Sequence, residues 1–169
     1  MSGAGRRRAC LRGIVPVALP PAGAMELFTP SGERRWADGW DPTFPAATED
    51  ETLPGTVFQT SSHGTVTWVV AGREPGRWVR YALVEPGERA GTVEVRCDPG
   101  PEGATIATVT YEMTALSQSG ERWLRDFAAG YEAFLAHWGA AIAEVLAPAC
   151  APPRLLWGHV PEHPKPSQL

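Results

Sequence analysis

The sequence has no asparagine, and Lys165 is the single lysine among 15 basic residues. Without asparagine there is no acceptor for N-glycosylation. The arginine excess, together with 18 glycines and 17 prolines, reads as a GC-rich coding bias rather than as chemistry. Cysteine is scarce too: Cys10, Cys97 and Cys150 are far apart and form no C-x-x-C. That argues against a disulfide framework and fits reduced thiols in a cytoplasm. No apolar run approaches the roughly 20 residues that a membrane-spanning helix needs. Arginines at 6–8 followed by "LRGIVPVALPPAGA" imitate a signal peptide, but Arg12, Pro16, Pro20 and Pro21 interrupt the apolar stretch. The expectation is therefore a cytoplasmic protein without membrane insertion. A net charge of −4 leaves no basic footprint for nucleic acid. The G-x-S-x-G, P-loop and G-x-G-x-x-G patterns are all missing.

What remains is the composition of an ordinary globular protein, 43% apolar and 20% charged over 169 residues. This suggests one domain with tails, divided into a tail at 1–9, a body at 10–146 and a proline-rich tail at 147–169. "CLRGIVPVALP" at 10–20 reads as a strand. Pro21 opens a short helix that Thr29-Pro30 stops, and Ser31 is placed to cap a second one, "GERRWA", with Glu33 near its positive end. After an acidic, proline-bearing loop at 41–54 the period changes to two. Five strand-like runs follow, broken by Gly and Pro, as in an antiparallel meander. Val79, Tyr81 and Leu83 alternate against Arg80, and Val93, Val95 and Cys97 against Thr92, Glu94 and Arg96, so one face is covered and the other wet. The cover is a helix from Ser117 to about Leu146. Its apolar residues Leu124, Phe127, Tyr131, Phe134, Trp138, Ile142 and Val145 recur every three or four positions, which is one helical stripe.

The order strand, two short helices, meander, long helix resembles the START-like, Bet v 1-like (SRPBCC) superfamily over about residues 10–146. "MELFTPSGERRWADGWDP" is similar to a stretch of bacterial members of unassigned function, and "AGTVEVRC" and "WLRDFAAGYEAFLAHW" to their later strand and last helix. The resemblance implies an α+β helix-grip fold: a curved antiparallel sheet of six to seven strands wrapped around the C-terminal helix, with two short helices after the first strand. It also implies an internal cavity. Members bind lipids, sterols, polyketides or plant hormones; a minority are aromatase/cyclases, and a related branch activates the Hsp90 chaperone ATPase. No catalytic residue is common to them, so none carries over.

The expected function is binding of a hydrophobic small molecule, lipid- or polyketide-like, without catalysis and without a cofactor or metal. Trp36, Trp40, Trp68, Tyr81, Tyr111, Phe127, Tyr131 and Phe134 are the candidate lining or rim residues, against the alternative that they simply fill a core. A binder requires a largely apolar cavity. A cyclase-like enzyme adds a carboxylate, histidine or tyrosine of perturbed pKa within it. An Hsp90-activator-like module requires a filled interior and an exposed apolar patch. "HVPEH" at 159–163 matches H-x-x-E-H, but Pro161 breaks the helix that zinc ligation would need. His63 and His137 stand alone. The oligomeric state is left open.

Overall fold

The computed structural model describes residues 7–61 and 64–148; His63 and the 159–163 motif lie outside the described residues. Six strands form one antiparallel sheet: β1 (Arg8–Val17), β2 (Val57–Ser61), β3 (Thr65–Glu74), β4 (Trp78–Glu85), β5 (Arg89–Pro99) and β6 (Thr105–Ala115), in the order β1-β6-β5-β4-β3-β2. Period-two sequence dictates its two faces. Val79, Tyr81, Leu83, Val93, Val95, Cys97, Ala107, Val109 and Met113 are buried, while Arg80 on the other face meets Glu94 at 2.7 Å. The β3–β4 register shifts between Val70 and Gly72, an irregularity of the kind that bends and twists a strand. β1 begins two residues before Cys10, because Arg8 and Ala9 still pair with Thr114 and Met113. It stops at Val17, before Pro20 and Pro21 set up the next helix.

Two short helices, α1 (Pro21–Glu26) and α2 (Pro30–Glu33), fill the crossover from β1 to β2. α2 starts earlier than the serine cap suggests. Pro30, with no N–H to lose, takes the first helical position, and Thr29 Oγ1 accepts the Gly32 N–H at 3.0 Å. Ser31 turns outward and donates to Glu51 of the following loop at 2.5 Å. The same loop is tied to β3 by Asp50, which pairs with Arg73 at 2.7 Å. The long helix, α3 (Gln118–Leu146), has 29 residues and so is about 43 Å long. Ser117 caps it, accepting the Gly120 N–H at 2.9 Å. Ser117 and Ser119 both donate to Glu88 in the β4–β5 turn, at 2.8 and 2.5 Å. Leu124, Tyr131, Leu135 and Ile142 are buried, but Val145, the end of the apolar stripe, is exposed. No helix among the described residues is long and apolar enough to cross a membrane.

Two predictions concern the segment that carries α2. A Cβ at Gly32 would collide with the backbone carbonyl of Glu26, so Gly32→Ala is expected to lower unfolding stability in urea by roughly 2 kcal/mol, as overpacking does. The Arg73 and Thr52 hydrogen bonds hold the Asp50 carboxyl down at about 2. Because this folded pKa is depressed, the stabilisation is present above about pH 4, the unfolded value, and is lost as pH falls toward 2. Asp50→Asn is expected to remove that part of the acid-unfolding profile while leaving the profile above pH 5 parallel to that of the parent.

Candidate functional site

The helix seats closely on only part of the sheet. At Gly13 of β1, a Cβ would strike the Leu135 side chain, so backbone and helix are nearly in contact there. Over β3, β4 and β5 the concave face instead looks into a hollow of about 340 Å³. α2 and the turn after it supply Pro30, Glu33, Ala37, Asp38 and Trp40 as one wall. Phe58, Trp68, Tyr81, Val93, Val95, Tyr111 and Met113 form the sheet side, and Trp123, Phe127, Phe134 and Trp138 the helix side. Asp38 and Gly39 are exposed and mark the mouth.

Of the eight expected residues, six border this hollow: Trp40, Trp68, Tyr81, Tyr111, Phe127 and Phe134. Trp36 and Tyr131 do not. Trp36 is buried, donates its indole N–H to Leu27 O at 2.8 Å, and meets Trp138 edge-on with ring centroids 5.0 Å apart. It clamps the short helices to α3. Tyr131 lies beneath the close helix–sheet contact and donates to Val109 O at 2.9 Å. Trp40 has both roles: its N–H is fixed on Pro30 O at 2.8 Å, and its ring stands edge-on to Trp68 at 5.5 Å. Trp68 in turn stacks on Phe58, centroids 5.7 Å apart, and donates to Thr60 Oγ1 at 3.0 Å. The Tyr81 hydroxyl donates to Phe28 O at 3.0 Å. The indole N–H groups of Trp40 and Trp68 and the Tyr81 hydroxyl are thus all satisfied by protein acceptors, and apolar ring surface faces inward.

Sequence reasoning missed Glu33, Arg89, Met113, Trp123 and Trp138 as wall residues. Glu33 is 8% exposed, and among the described residues its carboxyl has no hydrogen-bond or ion-pair partner. Burial alone holds its pKa well above the usual carboxylate range, since removing an unpaired charge from water favours the neutral acid. A signal was present: Glu33 lies three residues before Trp36 and four before Ala37, which puts all three on one helical face, while Arg34 and Arg35 point to solvent. Tyr111 also borders the hollow, and its hydroxyl has no partner among the described residues. Burial and then the neighbouring Glu33 raise its pKa well above the ordinary phenol value. Arg89 is committed elsewhere. Its guanidinium lies 3.7 Å from the Trp123 ring centroid and 2.5 Å from Glu85; nothing in its sequence context marks this stacking. His137 is exposed on α3, away from the hollow. Among the described residues no group of three or more His, Cys, Asp or Glu side chains is arranged to hold a metal ion.

No protein-family model and no curated protein matches the chain. Solved structures do. Norcoclaurine synthase from Thalictrum flavum, crystallised as a point mutant with a transition state analogue, is 11% identical, with a TM-score of 0.58 over 85% of this chain and 98% of that one. CalU16 from Micromonospora echinospora is 19% identical, with a TM-score of 0.54 over 81% and 85%. The Aha1 dimer from Colwellia psychrerythraea is 12% identical, with a TM-score of 0.58 over 82% and 99%. At such identities the likeness is one of fold, and the chain has the helix-grip fold.

The unpaired acid gives a pH prediction. A carboxyl whose folded pKa is raised favours the native state most below the unfolded value, near pH 4, and its contribution is lost as pH rises. Glu33→Gln is therefore expected to melt at the same temperature as the parent at pH 4 and above it at pH 8, with the gap widening between. Differential scanning calorimetry across that range checks this, and a gap that stays constant with pH would mean the acid is solvated.

Proposed function

We propose that this protein binds a hydrophobic small molecule, lipid- or polyketide-like, in the hollow between the sheet and α3, without converting it. The observation that supports this best is the hollow itself: about 340 Å³, within the size range of small-molecule sites, and walled largely by aromatic side chains. Such walls favour an apolar occupant through the area it removes from water, roughly 25 cal/mol per Å². The same reading keeps the protein in the cytoplasm, where Cys10 and Cys97 remain free thiols. Trp40 at the mouth then serves as an entry residue, fixed by its N–H and offering its ring to a passing amphipathic molecule.

Glu33 supports a second reading. A carboxyl of raised pKa in the wall is what a cyclase-like enzyme would add to a plain binding pocket, and norcoclaurine synthase is a synthase with this fold. The Hsp90-activator-like reading needs a filled interior, and the hollow counts against it.

Binding is tested by native mass spectrometry of protein purified without detergent, before and after adding 1-aminoanthracene as an apolar probe. One molecule per chain is expected. Val93→Trp, which places an indole in the hollow, is expected to weaken probe binding at least tenfold while the variant keeps a cooperative thermal transition. Unchanged binding in that variant would place the probe elsewhere.

A further inference from the structure

Most polar groups around the hollow are already engaged. Trp40, Trp68 and Tyr81 donate to protein acceptors, and Arg89 is held between Trp123 and Glu85. Asp38 stands in water at the mouth. Two groups are left over, Glu33 on α2 and Tyr111 on β6, both of which line the hollow. Each is close enough to the other for a charge on Glu33 to disfavour ionisation of the phenol. Unpaired polar groups in a desolvated site cost free energy until something satisfies them. A molecule that filled the hollow with hydrocarbon alone would seal both of them off from water.

We infer that Glu33 and Tyr111 form the polar end of the site, the carboxylic acid of one and the phenol of the other donating hydrogen bonds to a single neutral oxygen of the ligand, such as a ketone or quinone carbonyl. This rests on the binding reading and gives the ligand a chemical class: an apolar ring system with a carbonyl acceptor. A carbonyl oxygen has two lone pairs and no proton, so it accepts both donors and leaves neither unpaired. Burial raises the pKa of both groups, which favours their donor forms, the neutral acid and the neutral phenol. A buried acid held neutral in an apolar site is a hydrogen-bond donor rather than a base. The other titratable groups facing this volume are Asp38 from the turn, Tyr81 from β4 and Arg89 from β5. Of these, Tyr81 donates to a backbone carbonyl and Arg89 is neutralised by Glu85, so neither competes for the ligand oxygen.

The test compares three probes of one shape by isothermal titration calorimetry at pH 5 and pH 9: fluorene, 9-fluorenone and 9-aminofluorene. The expected result at pH 5 is that fluorenone binds roughly tenfold more tightly than fluorene, the yield of two net hydrogen bonds. The preference should be smaller at pH 9 than at pH 5, because a rise in pH moves Glu33 toward the ionised form, which cannot donate. Tyr111→Phe is expected to reduce it about threefold. Glu33→Leu, in which Tyr111 still donates, should reduce it to a similar extent, and the Glu33→Leu, Tyr111→Phe double variant should abolish it. Glu33→Gln, whose amide still donates, should keep most of it and make it independent of pH. Melting temperatures of the variants confirm that each is folded. Equal binding of fluorene and fluorenone at pH 5 would overturn the carbonyl assignment while leaving the pocket in place. Tightest binding by 9-aminofluorene, strengthening with pH and lost in Glu33→Gln, would overturn it in favour of an ammonium site. If none of the three binds, the pocket reading fails and the inference falls with it.

Discussion

A straight rod on a bent sheet touches it well along one line only, and in this protein that line runs over β1. Gly13 is the reason it can. With no side chain there, α3 descends until Leu135 is against the strand backbone, and Tyr131 below completes the contact by donating to Val109 O. The other end of the helix is held by a different device: Ser117 and Ser119 donate to Glu88, so the helix start is fixed to the β4–β5 turn rather than sunk into the sheet. Low at one place and held off at another, the helix cannot follow the curve of β3, β4 and β5. The hollow is the geometric remainder.

Keeping that remainder open is a task for stiff side chains. Aromatic rings bury large areas with few rotatable bonds, and here each of the wall tryptophans with a hydrogen-bonding partner is fixed twice, by packing and by its N–H. Trp36, Trp138 and Phe28 form one cluster that fixes the short helices to α3. Trp40, Phe58, Trp68 and Tyr81 form another that fixes the turn after α2 to the sheet. Tyr111, Phe127 and Phe134 join sheet to helix across a third edge. Flexible aliphatic side chains in these positions would be free to collapse inward, whereas a braced ring is not.

The fold was legible in the sequence because it rests on periodicity. Alternation in β4, β5 and β6 and the three-four stripe of α3 are properties of local sequence, and burial follows them except where Tyr111, Phe127, Phe134 and Trp138, only partly buried, border the hollow, and at Val145. Errors fall where a tertiary partner decides. Ser31 looks like a cap, but Pro30 competes for the first helical position and Glu51, twenty residues away, draws the serine outward. Trp36 and Trp40 stand four apart in "ERRWADGW", the first reading as helix and the second as turn, and it is the Leu27 carbonyl and Trp138, both outside that stretch, that make the first a clamp. Glu33 looks like a solvent-facing acid that favours a helix start. Its burial depends on how α2 is tilted onto the sheet, which no local pattern encodes, though its spacing to Trp36 and Ala37 was a readable hint.

That tilt is over-determined, and the surplus bears on why Glu33 stays where it is. A buried acid without a partner disfavours the folded state at neutral pH, and a short helix with loose ends would relieve this by rotating Glu33 into water. α2 has no such freedom. Thr29 caps it, Glu51 holds Ser31 by both main chain and side chain, Trp40 reaches back to Pro30 O, and Gly32 packs against the Glu26 carbonyl so closely that no side chain fits. Four independent constraints on a four-residue helix keep its one apolar-facing acid directed into the hollow. A scaffold selected for stability alone would need none of them, since an aliphatic residue at 33 would pack there without an unpaired polar group. These restraints hold Glu33 in the wall of the hollow, the placement on which the proposed contact with a ligand oxygen depends.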